Sequence, residues 1–318
     1  MIFTEMEYKI SFPREYNKNK LKESFEQYEE VLDNYYEKVV FDLSRCRFIR
    51  PTGIVAIVSM MKLLKYINKE KDRDQNLYLI DPQRDDLTHY LNRINFYELM
   101  DIDREEIVRR NSRGRFFEVN NIKSHTEVRD ISEDLAEIFR RQTSSSENLS
   151  ENINASLSEI LDNIFHHSRS PINGIVCAQT YPHKREAEFA ICDTGIGIKK
   201  SLGKNPEYSH LESDMVAIEK ALEKEVTGTI DENDVGLNNT GEGLYYIKEA
   251  IISNSGDLHI HSKKGKVAIE EGDIEYSQFP LWPGTIISIT INLNNDFPLY
   301  ENIDIEIEDT EEFDKFDF

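Results

Sequence analysis

Ser158-Glu-Ile-Leu-Asp-Asn-Ile-Phe-His-His167 reads as one amphipathic helix. Glu159, Asn163 and His166 fall at i, i+4 and i+7, on one side of the cylinder. Leu157, Ile160, Leu161, Ile164 and Phe165 fill the other side. A carboxylate and an amide one turn apart can hold a hard cation and orient a nucleophile. Spacing alone also fits a solvated polar face, so the weight lies in what surrounds the helix. Downstream, Gly174-Ile-Val-Cys-Ala-Gln-Thr180 and Glu186-Ala-Glu-Phe-Ala-Ile-Cys192 read as strands of a hairpin turning at Pro182-His-Lys-Arg. The second strand delivers Asp193-Thr-Gly-Ile-Gly197, whose glycines permit close ligand approach. A long polar segment follows, then Gly236-Leu-Asn-Asn-Thr-Gly-Glu-Gly-Leu244, which opens an apolar helix. Pro283-Gly-Thr-Ile-Ile-Ser-Ile-Thr-Ile291 reads as a terminal strand bearing Thr285.

The chain has 318 residues, 39% of them hydrophobic, enough for one to three packed domains. Its 60 Asp and Glu against 38 Lys and Arg leave a net charge of -22. Such a charge repels a nucleic-acid backbone or an anionic lipid surface, so neither is expected as the main partner. Cys46, Cys177 and Cys192 show no ligand spacing and read as small buried thiols. The opening Met-Ile-Phe-Thr-Glu lacks a signal-peptide pattern, and no apolar run reaches membrane-spanning length. A cytoplasmic protein is the expectation.

In the N-terminal third, Glu37–Leu43 reads as a buried strand and Asn76–Ile80 as a second. Between them Gly53–Asn68 has apolar residues at helical spacing, with Thr52 placed to cap its first turn. A helix over about 84–92 follows, making a small α/β layer. Val39-Val-Phe-Asp-Leu-Ser44, Phe48-Ile-Arg-Pro-Thr-Gly53 and Asn95-Phe-Tyr-Glu-Leu99 resemble the STAS domain of anti-sigma-factor antagonists, over residues 1–105. In that family the residue before the loop glycine is a phosphorylatable serine, which makes Thr52 the candidate phosphoacceptor. Arg50-Pro51 depart from the family's Asp-Ser. Residues 106–144 read as a polar connector ending in a helix from about Val128, and 294–318 as an acidic tail.

The motifs of residues 145–293, in their order, resemble the GHKL ATPase family: gyrase, Hsp90, MutL, histidine kinases and anti-sigma serine kinases. The resemblance implies an α+β chain, with the STAS-like domain followed by a two-layer Bergerat-fold sandwich. It implies ATP and Mg²⁺ as cofactors. Asn163 would coordinate the metal, and Glu159 would be the general base. Asp193 would accept from the adenine amino group with Thr285 assisting, while Gly195 and Gly197 shape the adenine turn. Gly241 and Gly243, with Leu244 beside them, would present amides to phosphate at a helix N-terminus. His166 is implied as a phosphate contact; for His167 a packed side chain fits equally well. Ile198–Thr240 would form a lid, in which Lys199, Lys200 and Lys204 either approach the phosphates or, more commonly for surface lysines, stay solvated.

His125 lies too close to Glu159 for the long helical hairpin of a histidine kinase. An atypical histidine kinase therefore ranks behind a regulatory switch, a serine/threonine kinase or ATPase acting on a protein partner or on the STAS-like module. A non-hydrolysing ATP-sensing module is the third expectation. A regulatory protein partner is expected in each case, and a homodimer is compatible with all three.

Overall fold

A computed structural model describes residues 6–104, 116–142, 154, 157–164, 168–228 and 243–295. It is a mixed α/β chain with several sheets, compatible with an α+β class. The candidates His166, His167 and Gly241 lie outside the described residues, as do 296–318 of the expected tail.

Three short strands, β1 (Glu7–Ser11), β3 (Lys38–Asp42) and β5 (Asn76–Ile80), pair in parallel in that order. Between β1 and β3 come β2 (Glu15–Tyr16) and α1 (Lys22–Asp33). Between β3 and β5 come β4 (Phe48–Ile49), which pairs with β2, and α2 (Pro51–Glu70). α3 (Asp85–Arg93) follows β5.

α2 is more than an amphipathic helix. Every residue from Pro51 to Met61 is buried, as are Leu63 and Leu64. A helix apolar all round belongs between two layers. Here its core joins Val39 and Phe41 of the small sheet to Ile175, Cys177, Ala190 and Cys192 of a second, larger one. Its N-cap is Arg50, in extended conformation, with Pro51 in the first turn. Thr52 is thus one step inside the helix instead of being its cap.

The second sheet is antiparallel, with strands β6 (Phe116–Ile122), β7 (Gly174–Tyr181), β8 (Glu186–Cys192), β9 (Asp257–Glu270) and β10 (Asp273–Asn292). Its order is β6-β7-β8-β10-β9. β6 corrects the expected connector: it is an edge strand, and α4 (His125–Gln142) begins just after it. A register irregularity between Phe117 and Asn120 breaks the alternation that would have marked the strand. β9 and β10 form a long hairpin through Glu271 and Gly272, both at positive φ, as a tight two-residue turn requires.

The sheet is covered on both faces, one of them by the N-terminal helices. Val176, Phe189, Ile191, Ile260 and Ile289 pack under α4, α5 (residues 157–164) and α8 (Gly243–Asn254). The alternate residues, Glu188, Ser288, His259 and His261, turn the other way, since side chains alternate along a strand. α1 and α2 cover that face. No helix among the described residues is long and apolar enough to cross a membrane.

Candidate functional site

α5 brings Glu159 and Asn163 to the end of β8, where the chain leaves the sheet at Asp193. Among the described residues, one cavity of about 120 Å³ is walled by Asn163, Asp193, Gly197, Gly243, Leu244 and Thr285. Ile160, Ile164, Ile198, Leu202 and Ile287 supply apolar surface. Most of the expected site residues on described positions therefore meet in one place, although Asp193 and Gly243 are far apart in sequence.

Asp193 is 2% exposed. Burial lifts its carboxyl to about 7, although the Gly195 amide, the Lys263 ammonium and the Thr285 backbone all favour the ionised form. The Gly195 N–H donates to Asp193 Oδ1 at 2.7 Å, and the Asp193 N–H donates to the Thr285 carbonyl at 2.8 Å. Gly197 has φ +77, a conformation L side chains rarely adopt, and an added Cβ would lie 2.8 Å from Lys263 Cγ. The next element, α6 (Ile198–Leu202), starts there, its first N–H donating to Ser262 Oγ at 2.9 Å. Ser262 Oγ lies 3.1 Å from Thr285 Oγ1, so the polar groups beside Asp193 form one network.

Glu159 reaches the start of α8. Its Oε1 accepts from the Gly243 N–H at 2.8 Å. A carboxylate there satisfies an orphan donor and complements the helix dipole. A Cβ added at 243 would lie 2.4 Å from Glu159 Cδ, so a larger residue there would force the Glu159 side chain to move.

Several contributors carry no local sequence signal. Lys263 donates to the Gly195 carbonyl at 2.7 Å and also to the Pro283 carbonyl, tying the glycine turn to β10. Its own ammonium is pushed down by burial. Trp282 donates from Nε1 to the Asp193 carbonyl at 2.9 Å and stacks on Phe25 of α1, ring centroids 4.9 Å apart. Lys199 gives its ammonium to the Glu212 carbonyl at 2.7 Å, within the segment between α6 and α7 (Asp214–Ala221).

Thr52 is remote from solvent, with no exposed surface. Its Oγ1 lies 2.7 Å from both Glu188 Oε1 and Ser288 Oγ. A hydroxyl has one proton to give. It can go to the carboxylate or to Ser288 Oγ, one at a time. The Arg50 guanidinium reaches Glu188 at 2.9 Å and Glu186 at 2.6 Å, lying over the Tyr181 ring. Arg50 and Thr52, where the chain departs from the STAS-like pattern or supplies its candidate phosphoacceptor, are thus engaged by the second sheet. The cysteines are all buried thiols; Cys46 is raised to about 12 by burial. Among the described residues no group of three His, Cys, Asp or Glu side chains could hold a metal ion.

No protein-family model matches the chain, and no curated protein or solved structure matches it either.

Proposed function

We propose that this chain is a Mg-ATP-binding regulatory protein of the GHKL type, its nucleotide domain backed by a STAS-like N-terminal layer. One observation carries the reading: Asp193, Gly197, Thr285, Asn163 and Gly243, from four separate segments, surround a single cavity. A buried carboxylate held by the Gly195 amide suits the amino edge of a purine. An apolar wall suits its faces. A helix N-terminus at Gly243 suits phosphate.

Mg²⁺ bound to nucleotide usually takes only one or two protein oxygens, the rest coming from phosphates and water. Asn163, at the cavity wall, fits as such a donor. The cation would neutralise phosphate charge. Glu159 would polarise water or an acceptor hydroxyl, after releasing or sharing its bond to Gly243.

The burial of Thr52 favours transfer to water or to a partner over transfer to this chain's own α2. Incubation of wild type and Glu159→Ala with Mg-ATP, following released and protein-bound phosphate, tests the enzymatic part. Turnover lost in the variant supports it; equal background turnover in both excludes it.

A second reading rests on the Glu159–Gly243 bond. In a non-hydrolysing ATP sensor, Glu159 would serve to cap α8. Nucleotide binding by both proteins, with turnover in neither, selects that reading.

A further inference from the structure

β1, β3 and β5 are parallel, so the loops leaving their carboxyl ends gather along one edge. That is where open parallel sheets commonly take their ligands. These loops carry Arg14, Arg45, Arg47 and Arg84, which line one cleft of about 670 Å³ together with Ser44 and Gln83. The volume lies within the range of small-molecule sites.

The loops are pinned to one another. The N–H groups of Arg47 and Phe48 both donate to the Arg14 carbonyl, at 2.7 and 3.2 Å. The Leu43 N–H donates to the Ile80 carbonyl at 2.9 Å, tying the second loop to the third. Cys46 is buried and donates its thiol to the Pro13 carbonyl at 3.3 Å, while Arg45 and Arg47 on either side are exposed.

The neighbouring carboxylates are largely committed elsewhere. Asp42 pairs with Lys9 and accepts from the Ser44 N–H. Asp81 is held by Arg104 and Tyr97, and Asp86 pairs with Arg84. Glu15 is exposed beside Arg14. Arg14, Arg45 and Arg47 have no side-chain partner among the described residues. In a chain with 60 acids against 38 bases, three such guanidiniums around one cleft form a local reversal of sign.

We propose that this cleft binds a compact oxyanion ligand, one bearing phosphate or carboxylate groups, through Arg14, Arg45 and Arg47. Guanidinium forks match both groups bidentately. An extended polyanion is disfavoured by the net charge of -22. The proposal is independent of the nucleotide reading, because the cleft shares no residue with the cavity at Asp193.

Isothermal titration of the full chain at low ionic strength, with inorganic pyrophosphate and separately with citrate, tests it. At least one should bind wild type, weaken with added salt, and bind Arg45→Gln/Arg47→Gln at least roughly tenfold less tightly. Pyrophosphate preferred over citrate assigns phosphate; the reverse assigns carboxylate. Arg14→Gln provides a second, independently folded check. Absence of binding by either anion at millimolar concentration, or binding that neither variant weakens, overturns the proposal.

Discussion

Glu188, in the middle of β8, caps the helix of the opposite layer: its Oε1 accepts from both the backbone N–H of Thr52, at 3.1 Å, and the Thr52 hydroxyl. Its other oxygen holds Arg50. A single buried carboxylate therefore satisfies an orphan helix N–H, a hydroxyl and a guanidinium across the boundary between the N-terminal layer and the large sheet.

Removing it should be costly. Glu188→Ala leaves Arg50 buried with only the partly exposed Glu186, and breaking such a pair costs about 3–5 kcal/mol. Urea denaturation should show that loss, while Glu186→Ala should cost much less. A phosphate at Thr52 would meet the Glu188 carboxylate directly, so mass spectrometry after Mg-ATP incubation should find none at Thr52 in the folded wild type.

Asp193 separates stability from binding. Burial holds its carboxyl at about 7, well above the ordinary aspartate value of 3.8. Unfolding is therefore favoured progressively as pH rises from about 4 to 7, by up to about 4 kcal/mol once the folded group also ionises. Asp193→Asn should raise the melting temperature of the nucleotide-free chain at pH 8, yet weaken ATP binding in calorimetry. Wild-type affinity should climb as pH rises through 7, because the ionised carboxylate is the acceptor that an adenine amino group needs. A pH-independent affinity would argue against the assigned contact.

His261 should set the acid limit. It is buried against Phe25 and Phe279, and neither ring nitrogen has a partner among the described residues. Burial, with His259 and Lys266 nearby, pushes it well below the usual value. The unfolded chain takes up a proton near pH 6.5 that the folded chain refuses, so stability falls as pH drops below that point. The loss at pH 5 should be about 2 kcal/mol. Because Asp193 and His259 also shift stability in this range, the test is the difference: wild type should lose about 2 kcal/mol more than His261→Leu between pH 8 and pH 5 in melting curves.

Trp282 is the chain's one tryptophan, fully buried, with its indole N–H on the Asp193 carbonyl. Its fluorescence should change when ATP binds, giving a direct signal from behind the site. Phe25→Ala opens a cavity beside it and should cost about 3–5 kcal/mol. The same change should alter the Trp282 response. Calorimetric binding with no change in Trp282 emission would show that ligand contact at Asp193 does not reach the indole.

Much of the second sheet was legible because its signals are local. The β7–β8 hairpin, the Asp193 turn and the start of α8 each announce themselves within a few residues through alternation or glycine. The same holds for β3, α2 and β5. β6 was missed because an irregular register interrupts its alternation. The unbroken apolar run Ile54-Val-Ala-Ile-Val58 did hold a warning, since a helix with no polar face must be covered on every side.

By itself the sequence marked β3, α2, β5, β7, β8 and the end of β10, and which carboxylates and glycines could serve a ligand. Those properties depend on residues a few positions apart. Only the tertiary structure decided that Glu188 captures Arg50 and Thr52, that Lys263 braces the Gly195 turn, and that Trp282 links Phe25 to Asp193. Each contact joins residues too distant along the chain for any periodicity to encode. The burial that raises the Asp193 carboxyl and lowers the Lys263 ammonium exists only once the layers have closed.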